Sequence, residues 1–418
     1  MSTSDLSVDE ALARLLHDVS PLSAERLPLD ACLGRVLAED VIAPHDLPAL
    51  ANSAMDGYAA RAEDIASASK DHPVTLEVVG EVAGGHLPAT RLDRGQAMRI
   101  STGAALPDGA DTVVPVEDTS EPWPVAKGER PAIVRVTRGL KKGAFVRPAG
   151  LDVRAGARAV AAGQRLRPQD IALLAAVGCA QPLVYRKPRL AVFATGDELQ
   201  DSSVSLAPGR VRDANSPMLI AAARAAGAEP LPLGIVPDTE SAVRAALARA
   251  VEAGADVIVS SAGVSVGPHD VVRQVLQADG DLEFWRVNIR PGKPLAVGRY
   301  RGVRLLGLPG NPVSAFVSFE VFVRPVLRRL EGEVSERAPL FSVRLEEGVE
   351  SDGRESYLRA RVWWQDGEYR ARLAGGQDSS MLSTLVAANA LVRLPAGVRR
   401  AAAGELIDAW WLPPGPTN

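Results

Sequence analysis

Residues 303–330 read VRLLGLPGNPVSAFVSFEVFVRPVLRRL, and this stretch decides the predicted fold class. Its apolar start predicts a buried strand, a Pro-Gly-Asn-Pro loop follows, and Pro312–Leu330 predicts a long helix. Three comparable strands precede it at Arg189–Ala194, Pro230–Val236 and Asp256–Ser260, and a helical segment follows each of them. Strands that alternate with helices predict a parallel-rich sheet with helices on both faces.

Two further helices are predicted outside this α/β region. Apolar residues recur at helical spacing from Val8, and Ser7 and Glu10 have the spacing of a capping box at the start of that helix. A second helix is predicted at Gln169–Val177, because Pro168 is well placed at the first helical position.

The remaining regions have β character. Residues 45–140 contain short β-prone runs between Gly and Pro turns, which predicts a small β-rich domain. Beyond residue 331 the pattern is again β, and Asp366-Gly367 between two β-prone runs predicts a hairpin. The chain is therefore predicted to contain several domains.

Composition excludes several classes of protein. The chain has 418 residues, 4% of them aromatic, and a formal net charge of -4, which disfavours binding to nucleic acid. Cys32 and Cys179 form no CxxC pair, so a disulfide framework or a zinc site is not expected. The sequence has no apolar stretch of membrane-spanning length and no signal-peptide layout, so we expect a cytoplasmic protein with no membrane association.

Several strand ends carry loops suited to an anionic ligand. In an open parallel sheet the carboxyl ends of the strands meet at one edge, where ligands bind. Loop glycines let backbone N–H groups approach an anion closely, and helix N-termini add positive charge there. The candidate binding residues in these loops are Thr195, Gly196, Asp197, Gly263, Ser265, Gly267, Pro309, Gly310, Asn311 and Pro312.

Carboxylates lie at the same predicted edge. Asp197, Glu198, Asp238 and Asp270 follow strands, and such groups suit a hard cation such as Mg²⁺ that carries a phosphate. Glu198, Asp238 and Asp270 are the predicted metal ligands. An acidic residue after a strand also often caps the next helix, an alternative that is strongest for Asp238. The sequence does not rank these carboxylates between metal ligand, water-positioning base and cap.

A basic turn is the second chemical feature. Arg290-Pro291-Gly292-Lys293-Pro294 places two cations on a turn that two prolines and a glycine stiffen. The cations would attract an anionic ligand, whereas the alternative is a solvated basic turn without a ligand. The sequence contains neither GxxxxGK[ST] nor GxGxxG, so the common nucleotide-binding folds are not matched.

Several strings resemble the motifs of the MoeA family of molybdopterin molybdenumtransferases, in the order in which that family has them. The resemblance spans residues from about 5 to about 400 and rests on long, specific strings. They are Asn52–Ala59, Arg99–Ala104, Val113–Glu117, Arg147–Gly156, Thr195–Leu199, Gly263–Gly267, Arg290–Pro294 and Leu308–Ala315.

The resemblance implies a multidomain α/β and β chain. A split helical/β domain would comprise residues 5–44 and 141–186, with a β-rich domain inserted at 45–140. A MogA-like, three-layer α/β domain that binds molybdopterin would follow at 187–330, and a β-barrel at 331–418. It also implies a homodimer, with the active site between the α/β domain of one subunit and parts of the other.

The reaction that the resemblance implies joins molybdate to adenylylated molybdopterin and releases AMP, with Mg²⁺ as cofactor. A MogA-type adenylyltransferase and molybdoenzyme chaperones are the further partners implied. Carried over by motif position, the catalytic residues are Asp56, Thr102, Asp152, Glu198, Asp238, Asp270, Arg290 and Lys293. By the same resemblance, Arg354 or Arg359, and Ser379 or Ser380, stand where the C-terminal domain contributes molybdate contacts.

Some positions depart from the family pattern. Ala262 replaces a common glycine, which would restrict the backbone of the ligand loop. Leu151 stands where the family often has Glu, and Arg290 where some members have Lys. None of these changes removes a presumed catalytic group.

Two other functions are compatible with parts of the chain. A protein scaffold, as in gephyrin, would be expected to have lost some of the acids or Lys293, and this chain keeps them. Adenylylation of molybdopterin would need one MogA-type domain, whereas this chain carries the full set of motifs. The sequence leaves open whether molybdate or tungstate is preferred.

Overall fold

The fold was analysed in a computed structural model that describes residues 5–120, 131–262, 271–335 and 337–412. The chain begins with helix α1 (Val8–Leu16), strand β1 (Ala24–Arg26), a 3-10 turn and strand β2 (Val41–Ile42). The predicted capping box is confirmed, since the Glu10 amide donates to Ser7 Oγ and the Ser7 amide donates to Glu10 Oε2. The apolar face of α1 packs into the core of the α/β region described below.

A small β-rich unit follows. Its strands are β3 (Asn52–Ser53), β4 (Gly57–Ala60), β5 (Val74–Val82), β6 (Gln96–Ile100), β7 (Thr112–Pro115) and β8 (Ile133–Val136). Five of these described strands form one sheet in the order β7-β4-β6-β5-β8. The β-rich character predicted for this part of the chain is therefore confirmed.

The segment after this unit returns to the segment before it. It contains β9 (Val146–Arg147), β10 (Arg158–Val160), helix α2 (Pro168–Ala176) and β11 (Leu183–Tyr185). Strand β10 pairs with β2 and β11 pairs with β1, so the β-rich unit is an insertion between two paired segments. Leu37 from one segment and Leu174 from the other are fully buried in a shared core.

The α/β region contains the central sheet. Its elements are β12 (Arg189–Thr195), β13 (Leu199–Gln200), β14 (Val211–Arg212), α3 (Asn215–Ala225), β15 (Glu229–Val236), α4 (Glu240–Glu252), β16 (Val257–Ser261), α5 (Val271–Asp279), β17 (Gly280–Arg286), β18 (Ile289–Arg290), β19 (Pro294–Tyr300), β20 (Val303–Leu308), α6 (Pro312–Ser318), a π-helical turn (Phe319–Val323) and α7 (Arg324–Leu330). Six of the described strands form the sheet in the order β15-β12-β16-β20-β19-β17.

The central sheet is parallel at one side and antiparallel at the other. Strands β15, β12, β16 and β20 run parallel, whereas β19 and β17 run antiparallel to their neighbours. The expected parallel-rich sheet is confirmed, but β17 and β19 were not predicted. A pattern of alternating strands and helices detects strands joined by helical crossovers, and antiparallel neighbours need no such crossover.

Alternate residues of β12 lie in different cores. Leu190 and Val192 belong to the core that also contains α1, whereas Ala191 and Phe193 belong to the core under α4 and α5. This is the period-two pattern of a strand buried on both faces, so the prediction of helices on both faces is confirmed.

The last region is a closed β-barrel. It contains β21 (Phe341–Leu345), β22 (Val349–Glu350), β23 (Glu355–Gln365), β24 (Glu368–Leu373), α8 (Leu382–Ala387), β25 (Ala390–Leu394), β26 (Arg400–Ala401) and β27 (Leu406–Trp411). In the described structure β23, β24, β21, β27 and β25 form the ring, which closes where β25 pairs with β23. Asp366 and Gly367 have positive φ values of 50° and 84°, which confirms the predicted hairpin turn.

The barrel is joined directly to the α/β region. Strand β18 pairs in parallel with the start of β23. Arg290, the first residue of the basic turn, therefore belongs to a strand that extends the barrel sheet. Within the described part of the chain, no helix has the length and apolar character needed to cross a bilayer.

Candidate functional site

The carboxyl ends of β12, β16 and β20 meet around one cavity. Its volume is about 740 Å³, and residues from four separate loops line it. The lining residues include Thr195, Glu198, Asn215, Ser261, Gly292, Pro309, Gly310, Asn311 and Pro312. The strand order therefore brings together most of the described loop residues that the sequence predicted at this edge.

Glu198 is the carboxylate most open to a ligand. It lines the cavity and forms no hydrogen bond or ion pair with another side chain in the described ranges. A Cβ at Gly196 would lie 2.7 Å from Glu198 Oε1, so a glycine at this position leaves room for the carboxylate. Glu198 is thus available to bind a cation or to position a water molecule.

Asp238 is held by the neighbouring loop. Thr195 Oγ1 donates to Asp238 Oδ1, and the amide of Asp197 donates to Asp238 Oδ2 over 3.2 Å. The N-cap of α4 is Thr239, whose side chain accepts from the Ala242 amide. Asp238 is therefore not the residue that caps this helix. Its carboxylate instead fixes the loop after β12 against the loop after β15.

Asn215 was not singled out by the sequence analysis. Its Nδ2 donates to Ser261 Oγ over 2.7 Å and to the carbonyl oxygen of Gly310 over 2.6 Å. These bonds join the start of α3 to the loops after β16 and β20. The available signal was an Asn two residues before the helix predicted at Pro217–Ala226, which is typical of a capping residue and gives no indication of cross-loop contacts.

Ala262 confirms the expectation of a restricted loop. Its φ is +72°, in the left-handed region where side chains other than glycine are disfavoured. The loop after β16 is therefore strained at the residue where the family pattern has glycine. The predicted residues Gly263, Ser265, Gly267 and Asp270 follow it and lie outside the described residues.

Two uncharged residues of the basic turn line the cavity, whereas its two cations contact other parts of the molecule. Gly292 and Pro294 line the cavity. Gly292 has a φ of +107°, and a Cβ there would lie 2.7 Å from Ser318 Oγ, so this close approach requires glycine. Lys293 Nζ lies 2.9 Å from Asp5 Oδ2. Arg290 ends β18 beside the barrel.

Arg290 is close to two charged residues of the barrel. Hydrogen bonds from Arg354, together with the positive charges of Arg354 and Arg290, lower the pKa of the Asp352 carboxyl to about 2. Burial lowers the pKa of Arg359, and repulsion by Arg290 acts in the same direction. Arg290, Arg354 and Arg359 thus form a group of cations where the α/β region meets the barrel.

Arg359 is almost completely buried, with 1% of its surface exposed. Its guanidinium donates to the carbonyl oxygens of Gly376, Gln377 and Asp378, and its Nε donates to Thr384 Oγ1. These bonds shape the loop that carries Ser379 and Ser380. Most of the N–H groups of Arg359 are therefore occupied by the protein itself.

That loop contacts the cavity-lining residue Asn311 through Ser379. Asn311 Nδ2 donates to Ser379 Oγ over 2.9 Å, and the Val313 amide donates to the Ser379 carbonyl oxygen over 3.2 Å. Ser380 Oγ donates to Asp378 Oδ1 over 2.6 Å. Of the two predicted serines, Ser379 is thus the one that contacts the Pro309–Pro312 loop.

The three upstream candidates do not line the cavity in the described part of the chain. Asp56 Oδ1 accepts from both the amide and the hydroxyl of Thr102, over 2.7 and 3.0 Å, so these two predicted residues form one unit in the β-rich region. Asp152 lies in an exposed loop, where its amide donates to the Leu47 carbonyl oxygen. Within one chain, Glu198 lines the cavity and these three residues do not.

The described acids at the cavity fit a metal ion that a substrate brings with its phosphates. In the ranges that the structure covers, no three His, Cys, Asp or Glu side chains converge on a point where they could hold a metal ion. Mg²⁺ often binds through one or two carboxylates, several waters and the phosphates of its substrate. Glu198 offers one such carboxylate, beside glycine-bearing loops that suit the phosphates of a substrate.

Family comparisons agree with this architecture. The model of the MoeA N-terminal region (domain I and II) matches residues 6–178, that of a probable molybdopterin binding domain matches residues 191–329, and that of the MoeA C-terminal region (domain IV) matches residues 342–412.

Similar proteins extend over nearly the whole chain. A molybdopterin molybdenumtransferase from Nostoc sp. is 41% identical, with 94% of this chain and 90% of the relative covered. One from Bacillus subtilis is 35% identical, with 96% and 93% covered. The solved structure of a molybdopterin biosynthesis MoeA protein from Pyrococcus horikoshii OT3 is 28% identical, with a TM-score of 0.82 over 98% of this chain and 100% of that chain.

Proposed function

Because this chain belongs to the MoeA family, we propose that it inserts molybdenum into molybdopterin in the biosynthesis of the molybdenum cofactor. The proposed substrates are molybdate and adenylylated molybdopterin, and the proposed products are molybdenum-loaded molybdopterin and AMP. One observation carries the proposal: Glu198, Gly292 and the Pro309–Pro312 loop line the same cavity. A single ligand in this cavity would contact a free carboxylate and loops suited to anions.

Glu198 is the residue to which we assign the cation. A Mg²⁺ ion bound to the pyrophosphate would neutralise part of its charge and make the AMP phosphate a better leaving group. Glu198 would bind that ion or orient the water that cleaves the pyrophosphate. Asp238 would hold the loop after β12 in place through Thr195 and Asp197. Asp270 stays a predicted metal ligand.

The basic turn is assigned to the oxyanion. Molybdate and the dithiolate that it joins are both negatively charged, and two unit charges ~4 Å apart repel by roughly 4 kcal/mol at an effective dielectric constant of about 20. Uncompensated, that repulsion would lower the rate by about 10³-fold. Arg290 and Lys293 would offset it, and Ser379 and Arg354 would contribute from the barrel.

A homodimer would complete the proposed site. Asp56, Thr102 and Asp152 are assigned catalytic roles, and they lie away from Glu198 within one chain. A second subunit would bring these residues to the cavity. The same proposal includes an adenylylating enzyme as the source of the substrate, chaperones of molybdoenzymes as recipients of the product, and the cytoplasm as the location.

The test is AMP release by the purified full chain with adenylylated molybdopterin, molybdate and Mg²⁺. We expect AMP release that depends on molybdate. Glu198→Gln should lower kcat by at least about 100-fold, because a neutral amide neither binds Mg²⁺ well nor acts as a base. Glu252→Gln, at the exposed end of α4, is the matched control and should retain full activity. AMP release without molybdate, or an active Glu198→Gln variant, would contradict the proposal.

A further inference from the structure

The start of the chain reaches the basic turn of the proposed oxyanion site. The Leu6 amide donates to the Arg286 carbonyl oxygen over 2.8 Å, and the Asn288 amide donates to the Leu6 carbonyl oxygen over 2.7 Å. Leu6 and Val287 form a parallel β-bridge through these bonds. The backbone before α1 is thereby fixed along the segment that leads into β18.

Asp5 extends this contact to the side chains of the turn. Its Oδ2 lies 2.9 Å from Lys293 Nζ, and its Oδ1 lies 3.3 Å from Arg286 Nε. The carboxylate is partly buried, with 26% of the side chain exposed. The capping box of Ser7 and Glu10 holds the chain directly after it. Asp5 is therefore a fixed negative charge beside Lys293.

We propose that Asp5 is a positioning residue that sets how tightly, and with what charge selectivity, the site around Lys293 binds a tetrahedral oxyanion. The inference rests on the proposed function, because it takes Lys293 as an oxyanion-binding residue. An oxyanion must share Lys293 with Asp5 or displace it. The affinity of the site is then lower than Lys293 and Arg290 would give without Asp5.

The sign of the effect follows from Coulomb's law. Asp5 orients Lys293, which favours ligand binding, but it also repels an anion bound to the same ammonium group. The repulsion grows in proportion to the charge on the ligand, so a dianion is affected twice as strongly as a monoanion in free energy. Because the pair is partly exposed, ionic strength should weaken the effect.

Binding of molybdate and perrhenate to Asp5→Asn tests this relation. Both ions are tetrahedral, but molybdate is a dianion and perrhenate a monoanion. Equilibrium dialysis of the full chain at fixed pH and low ionic strength would give both dissociation constants. We expect molybdate to bind about tenfold more tightly to Asp5→Asn than to the wild type, which is ~1.4 kcal/mol. We expect perrhenate to bind about threefold more tightly to Asp5→Asn than to the wild type, because half the free-energy change corresponds to the square root of the molybdate factor.

Asp9→Asn is the matched control. It removes the same charge from the same part of the chain, but Asp9 pairs with Arg337 rather than with Lys293. It should leave both dissociation constants unchanged. Asp5→Glu keeps the carboxylate and should restore weaker, wild-type-like binding. A structural defect would not produce tighter binding, so the direction of the change separates this role from misfolding.

The same variants in the AMP-release assay distinguish failure of this inference from failure of the proposed function. The molybdate concentration that gives half-maximal AMP release should be lower for Asp5→Asn than for the wild type, whereas kcat should change less. Wild-type protein without molybdate-dependent AMP release would overturn the proposed function. Normal wild-type turnover, with Asp5→Asn binding molybdate equally or more weakly, would overturn the role of Asp5 alone. Equal factors for molybdate and perrhenate, or tight binding by Asp5→Glu, would also overturn it.

Discussion

The open carboxylate at the cavity and the cations of the basic turn and the barrel have different surroundings. Glu198 lines the cavity and has no side-chain partner in the described structure. Lys293 and Arg354 do not line the cavity, and they pair with the carboxylates of Asp5 and Asp352. Glu198 can therefore accept a ligand without losing an internal partner, whereas an anion at Lys293 or Arg354 must compete with one. Substitutions at the two places should consequently have different effects.

Loss of Lys293 should have the largest effect on activity after loss of Glu198. Lys293→Gln removes positive charge where two anions approach each other, so kcat/KM should fall by ~10²–10³-fold. AMP release at varied molybdate measures this fall. The loss should be smaller at high ionic strength, because the side chain is about one-third exposed. Lys187→Gln, at an exposed position before β12, is the control. Equal activity of the two variants would contradict the assignment of Lys293 to the oxyanion site.

A substitution at Arg359 tests whether this buried cation of the barrel has a structural role. Arg359→Met keeps much of the volume but leaves the carbonyl oxygens of Gly376, Gln377 and Asp378 without their donor. We expect a loss of about 3 kcal/mol in the free energy of unfolding, because buried acceptors are costly to leave unsatisfied. Chemical denaturation measures it, and Arg361→Met, on an exposed position of the same strand, is the control. A loss of activity at unchanged stability would instead indicate direct contact with molybdate.

Asp352 should make stability depend on pH at the acid end. Its folded pKa is about 2, below the ordinary value of 3.8 for an Asp carboxyl, so its contribution to stability is present above the unfolded pKa and disappears as the pH falls through about 2. Because the side chain is 42% exposed, we discount the contribution to ~1 kcal/mol. Asp352→Asn should therefore be less stable than the wild type at pH 7, and the difference should vanish near pH 2. A constant difference would contradict this account.

Ala262 should give the smallest effect, and in the opposite direction. Ala262→Gly relieves a left-handed backbone conformation but gives the unfolded chain more freedom, so a net gain of about 0.5–1 kcal/mol in stability is expected. Ala253→Gly, where φ is −75°, is the control and should not stabilise the protein. Thermal unfolding compares them. A destabilised Ala262→Gly variant would mean that the strain at Ala262 is smaller than its φ indicates.

Much of the α/β region was predictable from the sequence because its strands alternate with helices. Strand β20, its loop and the helix at 312–330 were predicted, and the loop residues Glu198, Gly310 and Asn311 were assigned to one edge. Strands β17 and β19 were not predicted, because antiparallel neighbours leave no crossover helix to mark them. The roles of the assigned residues stay predictions.

The contacts that distinguish the cavity from the surroundings of Lys293 join distant parts of the chain. Asp5 and Lys293 are far apart in sequence, as are Asn215 and Gly310. Nothing in their local patterns indicates these pairs, since a single Asp or Asn has many ordinary surface and capping roles. The spacing of residues along the chain therefore could not assign them.

The sequence by itself determined the parallel half of the sheet, the open edge and the family motifs, because apolar periodicity and glycine-bearing loops are local properties. Only the tertiary structure decided which charges meet. It set Asp5 beside Lys293, closed the barrel beside Arg290 and left Glu198 open to the cavity. The physical reason is that electrostatic partners depend on distance in space, which the chain fixes only after its strands and helices have packed.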